Sequence, residues 1–251
     1  MSEGPQVKLI TEKLQQQLLG QVINSCKTTR AGLELFSKSV SGSQIKRIFC
    51  KGKHIFFEFD SSIYLHNHLL MRGRWRKSSD HFLLLTSEIW LTFELAKATV
   101  YNCNGQVLKV LDEEQIRIQL NSLGPDIMSA DCLDDHIAEA IVLSKGPIGE
   151  ILLDQSVLSG IGNVAKSESL FLAGLHPQTN VIDISYGQSR SLAESIRHVM
   201  WESYRAGGRW THRVYRRAKN QCFECGTRIQ MIRQGKQNRS TYFCPRCQAK
   251  P

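Results

Sequence analysis

Four cysteines near the end of the chain carry the plainest chemistry. Cys222-Phe-Glu-Cys225 and Cys244-Pro-Arg-Cys247 are two C-x-x-C pairs with 18 residues between Cys225 and Cys244. Each such turn aims two thiolates at one point, and two turns complete the tetrahedron of a structural zinc site. Gly226 follows the first pair as a tight knuckle requires. The residues between the pairs alternate like a β-hairpin and carry Arg228, Arg233, Lys236 and Arg239. A zinc-pinned basic hairpin suits phosphate contacts; about half of those cations would serve equally as a solvated face.

A second stretch, Leu153–Phe171, contains Ser159-Gly160-Ile161-Gly162-Asn163 between two helical patterns. Glycines two residues apart let the backbone approach another group, with positive φ open at both. Asn163 stands where a helix would begin. Free N–H groups and the positive dipole end make such a start a site for an anion such as a phosphate. The same residues would also serve an ordinary helix–helix turn with glycine as cap.

These residues need elements to position them. Val7, Leu9, Ile10, Leu14, Leu18 and Leu19 recur at helical steps, so residues 6–30 read as a helix, with Gly20 as its end. The pattern then turns to short strands. Residues 43–50 and 54–59 flank Lys51-Gly52-Lys53, a hairpin turn, and further strands are expected at Ile63–Leu65, Arg74–Arg76, Phe82–Thr86, Ile89–Phe93 and Ala98–Asn102. Such spacing points to a β-sandwich. Leu123-Gly124-Pro125-Asp126 breaks the pattern. Beyond it, Asp131 or Asp134 is expected to cap a helix to about Ser144, residues 149–154 form the helix entering the glycine turn, and a longer helix covers about 186–205. The fold class is α+β: an N-terminal sandwich domain with a long first helix over 1–125, a helical domain over 126–213 and a zinc finger over 214–251.

The chain has 251 residues and a formal net charge of +9, from 32 Lys and Arg against 23 Asp and Glu. That excess favours a polyanionic partner, nucleic acid or an acidic membrane surface. No run is long and apolar enough to span a bilayer, and the N-terminus lacks a signal pattern, so an intracellular setting is expected, cytoplasmic in a prokaryote and nuclear in a eukaryote. In a reducing compartment clustered cysteines bind metal; Cys26, Cys50, Cys103 and Cys132 read as ordinary, often buried residues.

The β-rich first half, the turn Gly160-Ile161-Gly162-Asn163 and the zinc hairpin ending Arg239-Ser240-Thr241-Tyr242-Phe243-Cys244-Pro245-Arg246-Cys247-Gln248 occur in one order. Together they resemble the formamidopyrimidine-DNA glycosylase and endonuclease VIII family of base-excision repair enzymes, along essentially the whole chain. The resemblance implies a sandwich, a helix–two-turn–helix module and a zinc finger on one structural Zn2+. It also implies a bifunctional DNA glycosylase and abasic-site lyase, acting as a monomer on damaged DNA, duplex or single-stranded.

In that family the initiator methionine is removed and the new N-terminal amine attacks C1′ of the damaged nucleotide. Here Met1 precedes Ser2 and Glu3. An α-amine has a reference pKa of about 7.7–8.0, so a useful fraction is unprotonated at neutral pH. The resulting Schiff base drains electrons for β-elimination of the 3′ phosphate, and Glu3 protonates the opened sugar and shuttles protons. The family usually has proline at this position. Serine gives a primary amine whose imine must be protonated, which also leaves open a DNA-binding member with weak or absent glycosylase activity. Lys53 matches the hairpin lysine that contacts the phosphate beside the lesion. Asn163 matches the asparagine that binds the DNA backbone, and Arg239 the zinc-hairpin arginine that grips flanking phosphates and aids δ-elimination. Leu70, Met71 and Arg72 match the loop tip that fills the hole left by an everted base, although Leu70 and Met71 would also suit a core. The short segment Glu202–Val214, the lack of an Arg-Phe pair around Tyr101–Gly105 and the run Lys145–Glu150 lean toward the endonuclease VIII branch and oxidised pyrimidines. An unrelated zinc-ribbon protein binding RNA or acidic partners is the third reading.

Overall fold

The computed structural model describes residues 2–78, 86–105 and 107–250. The chain divides into two compact units, Met1–Ser2 with Val7–Asn121, and Glu3–Gln6 with Ser122–Pro251.

The first unit contains most of α1 (Gly4–Leu18), then β1 (Ser25–Thr28), α2 (Glu34–Ser39), β2 (Ile45–Lys51), β3 (His54–Phe59), β4 (Tyr64–His68), β5 (Arg74–Lys77), β6 (Ile89–Glu94), β7 (Thr99–Cys103), β8 (Val107–Leu111) and α3 (Glu113–Asn121). Two antiparallel four-stranded sheets run in the orders β1-β6-β7-β5 and β2-β3-β4-β8. Ile45, Ile48, Ile55, Phe57, Phe59 and Leu65 of one sheet share a core with Leu91, Phe93 and Val100 of the other. Val7, Leu14 and Leu18, spaced at three to four residues, add the buried stripe of α1 to the same core. At about 1.5–3 kcal/mol for each fully buried large side chain, this core holds the sandwich together.

The helix expected over 6–30 stops at Leu18, and Gly20 takes φ 72°. Beyond it Val22 bridges Gln44, and Ser25–Thr28 pairs with β6. A left-handed glycine ends the helix, and the following half-buried Ser-Cys-Lys-Thr alternation fits a strand. Lys51 pairs with His54 across a two-residue loop in which Gly52 takes φ 60°, as tight hairpins demand. Strands at 63–65, 74–76, 89–93 and 98–102 correspond to β4, β5, β6 and β7. The strand expected at Phe82–Thr86 lies outside the described residues except for Thr86, which opens a short 3-10 turn.

The second unit contains α4 (Asp134–Val142), α5 (Ile148–Ile151), α6 (Asn163–Leu172), α7 (Tyr186–Arg205) and the hairpin β9 (Gln230–Gln234) and β10 (Arg239–Phe243). Neither Asp131 nor Asp134 caps α4. Leu133 is the cap, its N–H donating to Nδ1 of His136 at 3.2 Å, and Asp134 is the first helical residue. α7 begins with a capping box between Ser185 and Gln188. Ile137, Ile141, Ile148, Leu152, Leu158, Ile161, Leu192, Ile196 and Met200 form one apolar core beneath these helices. Phe171, Val214, Cys222, Ile229 and Cys244 form a smaller one under the hairpin.

Candidate catalytic and nucleic-acid-binding site

The cysteine tail folds as its spacing requires. The four Sγ atoms lie within 4.8 Å of one another, with Cys222 and Cys247 at 3.9 Å and Cys225 and Cys244 at 3.4 Å. A tetrahedral zinc with ligand bonds of about 2.3 Å separates its sulfurs by about 3.8 Å, so the donor set fits one structural Zn2+. The knuckle closes through Gly226 N–H to Cys222 C=O at 3.0 Å, with Gly226 at φ 74°. Gln248 accepts from Cys244 N–H at 2.9 Å and donates to Leu175 C=O at 2.8 Å, tying the finger to the end of α6.

The glycine turn is occupied by the protein's own first carboxylate-bearing residue, Glu3. α6 starts at Asn163, and Glu3, 2% exposed, lays its side chain across that start. Its carboxylate accepts from Gly162 N–H at 3.1 Å, Val164 N–H at 2.9 Å and Ala165 N–H at 3.1 Å. The helix dipole and three donors favour a negative group here. The sequence points to an anion at this helix start; in the structure Glu3 itself supplies one. Only Gly160 takes a positive φ, 103°; Gly162 sits at −122°, in ordinary extended backbone. Gly162 is needed for space instead: a Cβ there would lie 2.3 Å from the Glu3 carboxyl carbon. Gly4 N–H donates to Gly160 C=O at 2.9 Å, which fixes the backbone beside Glu3.

Asn163 is half-buried, and its Oδ1 is buried without a hydrogen-bond partner. One turn further along, Lys166 is fully buried and was not singled out by sequence reasoning. Its Nζ donates to Thr241 Oγ1 at 2.7 Å on β10. Burial pushes its pKa down to about 8; Glu3 and Glu150 oppose the shift and Arg239 reinforces it. The clue in the sequence was a lysine in the register of the buried residues Ala165, Ser169 and Leu170. Arg239 opens β10 half-buried, with Nε donating to Gln237 Oε1 at 3.0 Å. Arg228, Arg233 and Lys236 are exposed. Lys145, Lys236 and Arg239 line a cleft of about 500 Å³ with Glu150 and Gln155. Another carboxylate missed in the sequence, Glu168, is fully buried and accepts from the backbone N–H groups of Arg213, Val214 and Tyr215 at 2.8–3.0 Å, fixing the segment that leads into the finger.

In the first unit, Ser2 is half-buried and its backbone nitrogen donates to Leu70 C=O at 3.2 Å. Leu70 takes φ 48° and is half-buried, whereas Met71 is 73% exposed and Arg72 is exposed. Met71 is therefore no core residue, and Leu69, 1% exposed, plays that part. Gly73 N–H donates to Leu69 C=O at 2.8 Å, closing the loop so tightly that a Cβ on Gly73 would meet that oxygen at 2.6 Å. Lys53 is buried at 7% exposure, not a turn lysine in open water. Beside it stand His54, His66 and His68. His54 Nδ1 and His66 Nε2 are 2.7 Å apart, and the rings stack on Phe56 on the face of β3 away from the core. Burial pushes the pKa values of His54 down to about 3 and of His66 and His68 to about 4, and the charge of Lys53 adds to the effect on His54 and His68. Cys26, Cys103 and Cys132 are buried as expected, and burial raises all three thiols, Cys26 and Cys132 to about 11.

Three family models match consecutive parts of the chain: the formamidopyrimidine-DNA glycosylase N-terminal domain over residues 1–115, the H2TH domain of the same enzymes over 123–214, and a zinc finger found in FPG and IleRS over 222–250. A formamidopyrimidine-DNA glycosylase of Rhizorhabdus wittichii is 30% identical, over 99% of this chain and 100% of its own length. The DNA-(apurinic or apyrimidinic site) lyase Nei2 of Mycolicibacterium smegmatis is 29% identical over 99% of both chains. Among solved structures, the Lactococcus lactis Fpg bound to DNA containing an abasic site superposes with a TM-score of 0.86 at 25% identity, covering 99% of this chain and 100% of the other.

Proposed function

The chain belongs to the formamidopyrimidine-DNA glycosylase family, of DNA glycosylases with abasic-site lyase activity, and from that premise we propose that it removes oxidised bases, pyrimidines favoured, through a Schiff base on the amine of Ser2. The observation that carries the reading is the anchored N-terminus: the Ser2 nitrogen is held by Leu70, and Glu3 by the start of α6. With Met1 removed, the Ser2 amine attacks C1′, the base leaves, and the protonated imine draws electrons as the 3′ phosphate is eliminated. Glu3 moves the protons. Lys53 and Arg239 hold phosphates, Asn163 the DNA backbone, and Leu70, Met71 and Arg72 enter the space left by the everted base. The exposure of Met71 and Arg72 and the unpartnered Oδ1 of Asn163 support those roles. The modules are read as residues 1–125, 126–213 and 214–251, the last holding one structural Zn2+.

Borohydride trapping tests the reading. The mature protein is expected to become covalently linked to abasic DNA, and prior acylation of the Ser2 amine is expected to abolish the adduct. A protein that binds abasic DNA yet yields no adduct would be the DNA-binding family member with impaired chemistry, the outcome that serine in place of proline makes specific to this chain. A panel of oxidised pyrimidines and purines, in duplex and single strands, reads out the substrate.

A further inference from the structure

The Ser2 nitrogen has one described acceptor, the carbonyl of Leu70, and Leu70 is a residue in an unusual state. Its φ of 48° is left-handed, a region that costs a branched side chain and that needs support from its surroundings. The support is local. His68 Nδ1 accepts the Leu70 N–H at 3.0 Å, and Gly73 N–H takes the Leu69 carbonyl at 2.8 Å. The Leu70 carbonyl is thereby left to turn toward Ser2. His68 is itself held: His54 stands edge-on to it with ring centroids 4.7 Å apart, and burial together with the charge of Lys53 keeps it neutral, so that Nδ1 stays an acceptor.

We infer that His68 is a positioning residue for the N-terminal amine: it locks Leu70 left-handed, and the locked Leu70 carbonyl orients the Ser2 nitrogen. This rests on the reading of Ser2 as the nucleophile for its catalytic consequence, but not for its geometry. The base of the loop holds the amine while its tip presents Met71 and Arg72 to the outside. The loop that fills the vacated space in DNA would thus also aim the attacking nitrogen.

The test is a double-mutant cycle of His68→Leu and Leu70→Gly, with His68→Asn as the conservative variant. Asparagine accepts a backbone N–H two residues on, and glycine adopts positive φ without help. Two readouts are taken on mature protein: acylation of the Ser2 amine by a small water-soluble ester without DNA, followed by mass spectrometry, and the borohydride-trapping rate on abasic DNA. His68→Leu is expected to speed acylation about fivefold as the amine is released and to slow trapping about tenfold. His68→Asn should restore both. In the Leu70→Gly background, adding His68→Leu should change neither. Equal effects of His68→Leu in both backgrounds, or no rescue by asparagine, would overturn the inference. If the parent protein fails to trap at all, the Schiff-base reading falls, and the acylation pattern alone still decides the role of His68.

Discussion

Glu3 makes the cost of a single atom visible. One carboxylate oxygen accepts from Val164 and the other from both Gly162 and Ala165. Glu3→Gln would turn an NH2 toward N–H groups, so its effect goes beyond lost proton transfer. The substitution is expected to destabilise the second unit by about 1–3 kcal/mol, seen as a lower midpoint in urea, as well as to abolish trapping. Gly162→Ala should reproduce the instability, since its Cβ overlaps the Glu3 carboxyl carbon; unchanged midpoints for both would remove the carboxylate from the helix start in solution. Lys166 gives a prediction with a sign. Its folded-state pKa, about 8, lies below its ordinary value of 10.5, so the unfolded chain binds the extra proton between those values. Stability of the second unit should therefore rise as pH increases from about 8 to 10, and Lys166→Met should flatten that rise in urea melts.

At the scale of elements, the histidine stack on β3 and β4 predicts the opposite end of the pH scale. His54, His66 and His68 have folded pKa values near 3 to 4 against an ordinary 6.5. The unfolded chain takes up protons first, so the first unit should lose stability as pH falls from about 6.5 to 4. His66→Phe, which keeps the stack on Phe56, should remove part of that loss in denaturation followed by near-ultraviolet circular dichroism. Much at this scale was legible in the sequence. The hairpin around Gly52, the helix at Asn163, α7 and the C-x-x-C spacing are written in local signals: turn glycines, helical steps of apolar residues and paired thiols. What was not legible depends on partners distant in sequence. β1 follows a helix and pairs with β6, far along the chain. Glu3 and its helix start are 159 to 162 residues apart, so the sequence showed an anion site and a glutamate without showing that one fills the other.

For the molecule as a whole, separate cores mean separable losses. The hairpin rests on its own cluster around Val214, Ile229 and Cys244, whereas the sandwich core draws on none of these. Chelating zinc should therefore expose the backbone of residues 214–250 to hydrogen exchange while leaving β2 to β8 protected; loss of protection in the sandwich would contradict independent cores. The net charge of +9 implies strongly salt-dependent DNA binding. Arg239→Ala should reduce the slope of log K against log salt by about 1, and an unchanged slope would take Arg239 out of the interface. The long separation between Glu3 and its seat also has a consequence in time. During synthesis at about 5–20 residues per second, α6 leaves the ribosome roughly 10–30 s after Glu3 does. A peptidase that bares Ser2, as the proposed chemistry requires, would have that interval in which to act, before the arrival of α6 gives the neighbouring carboxylate its place.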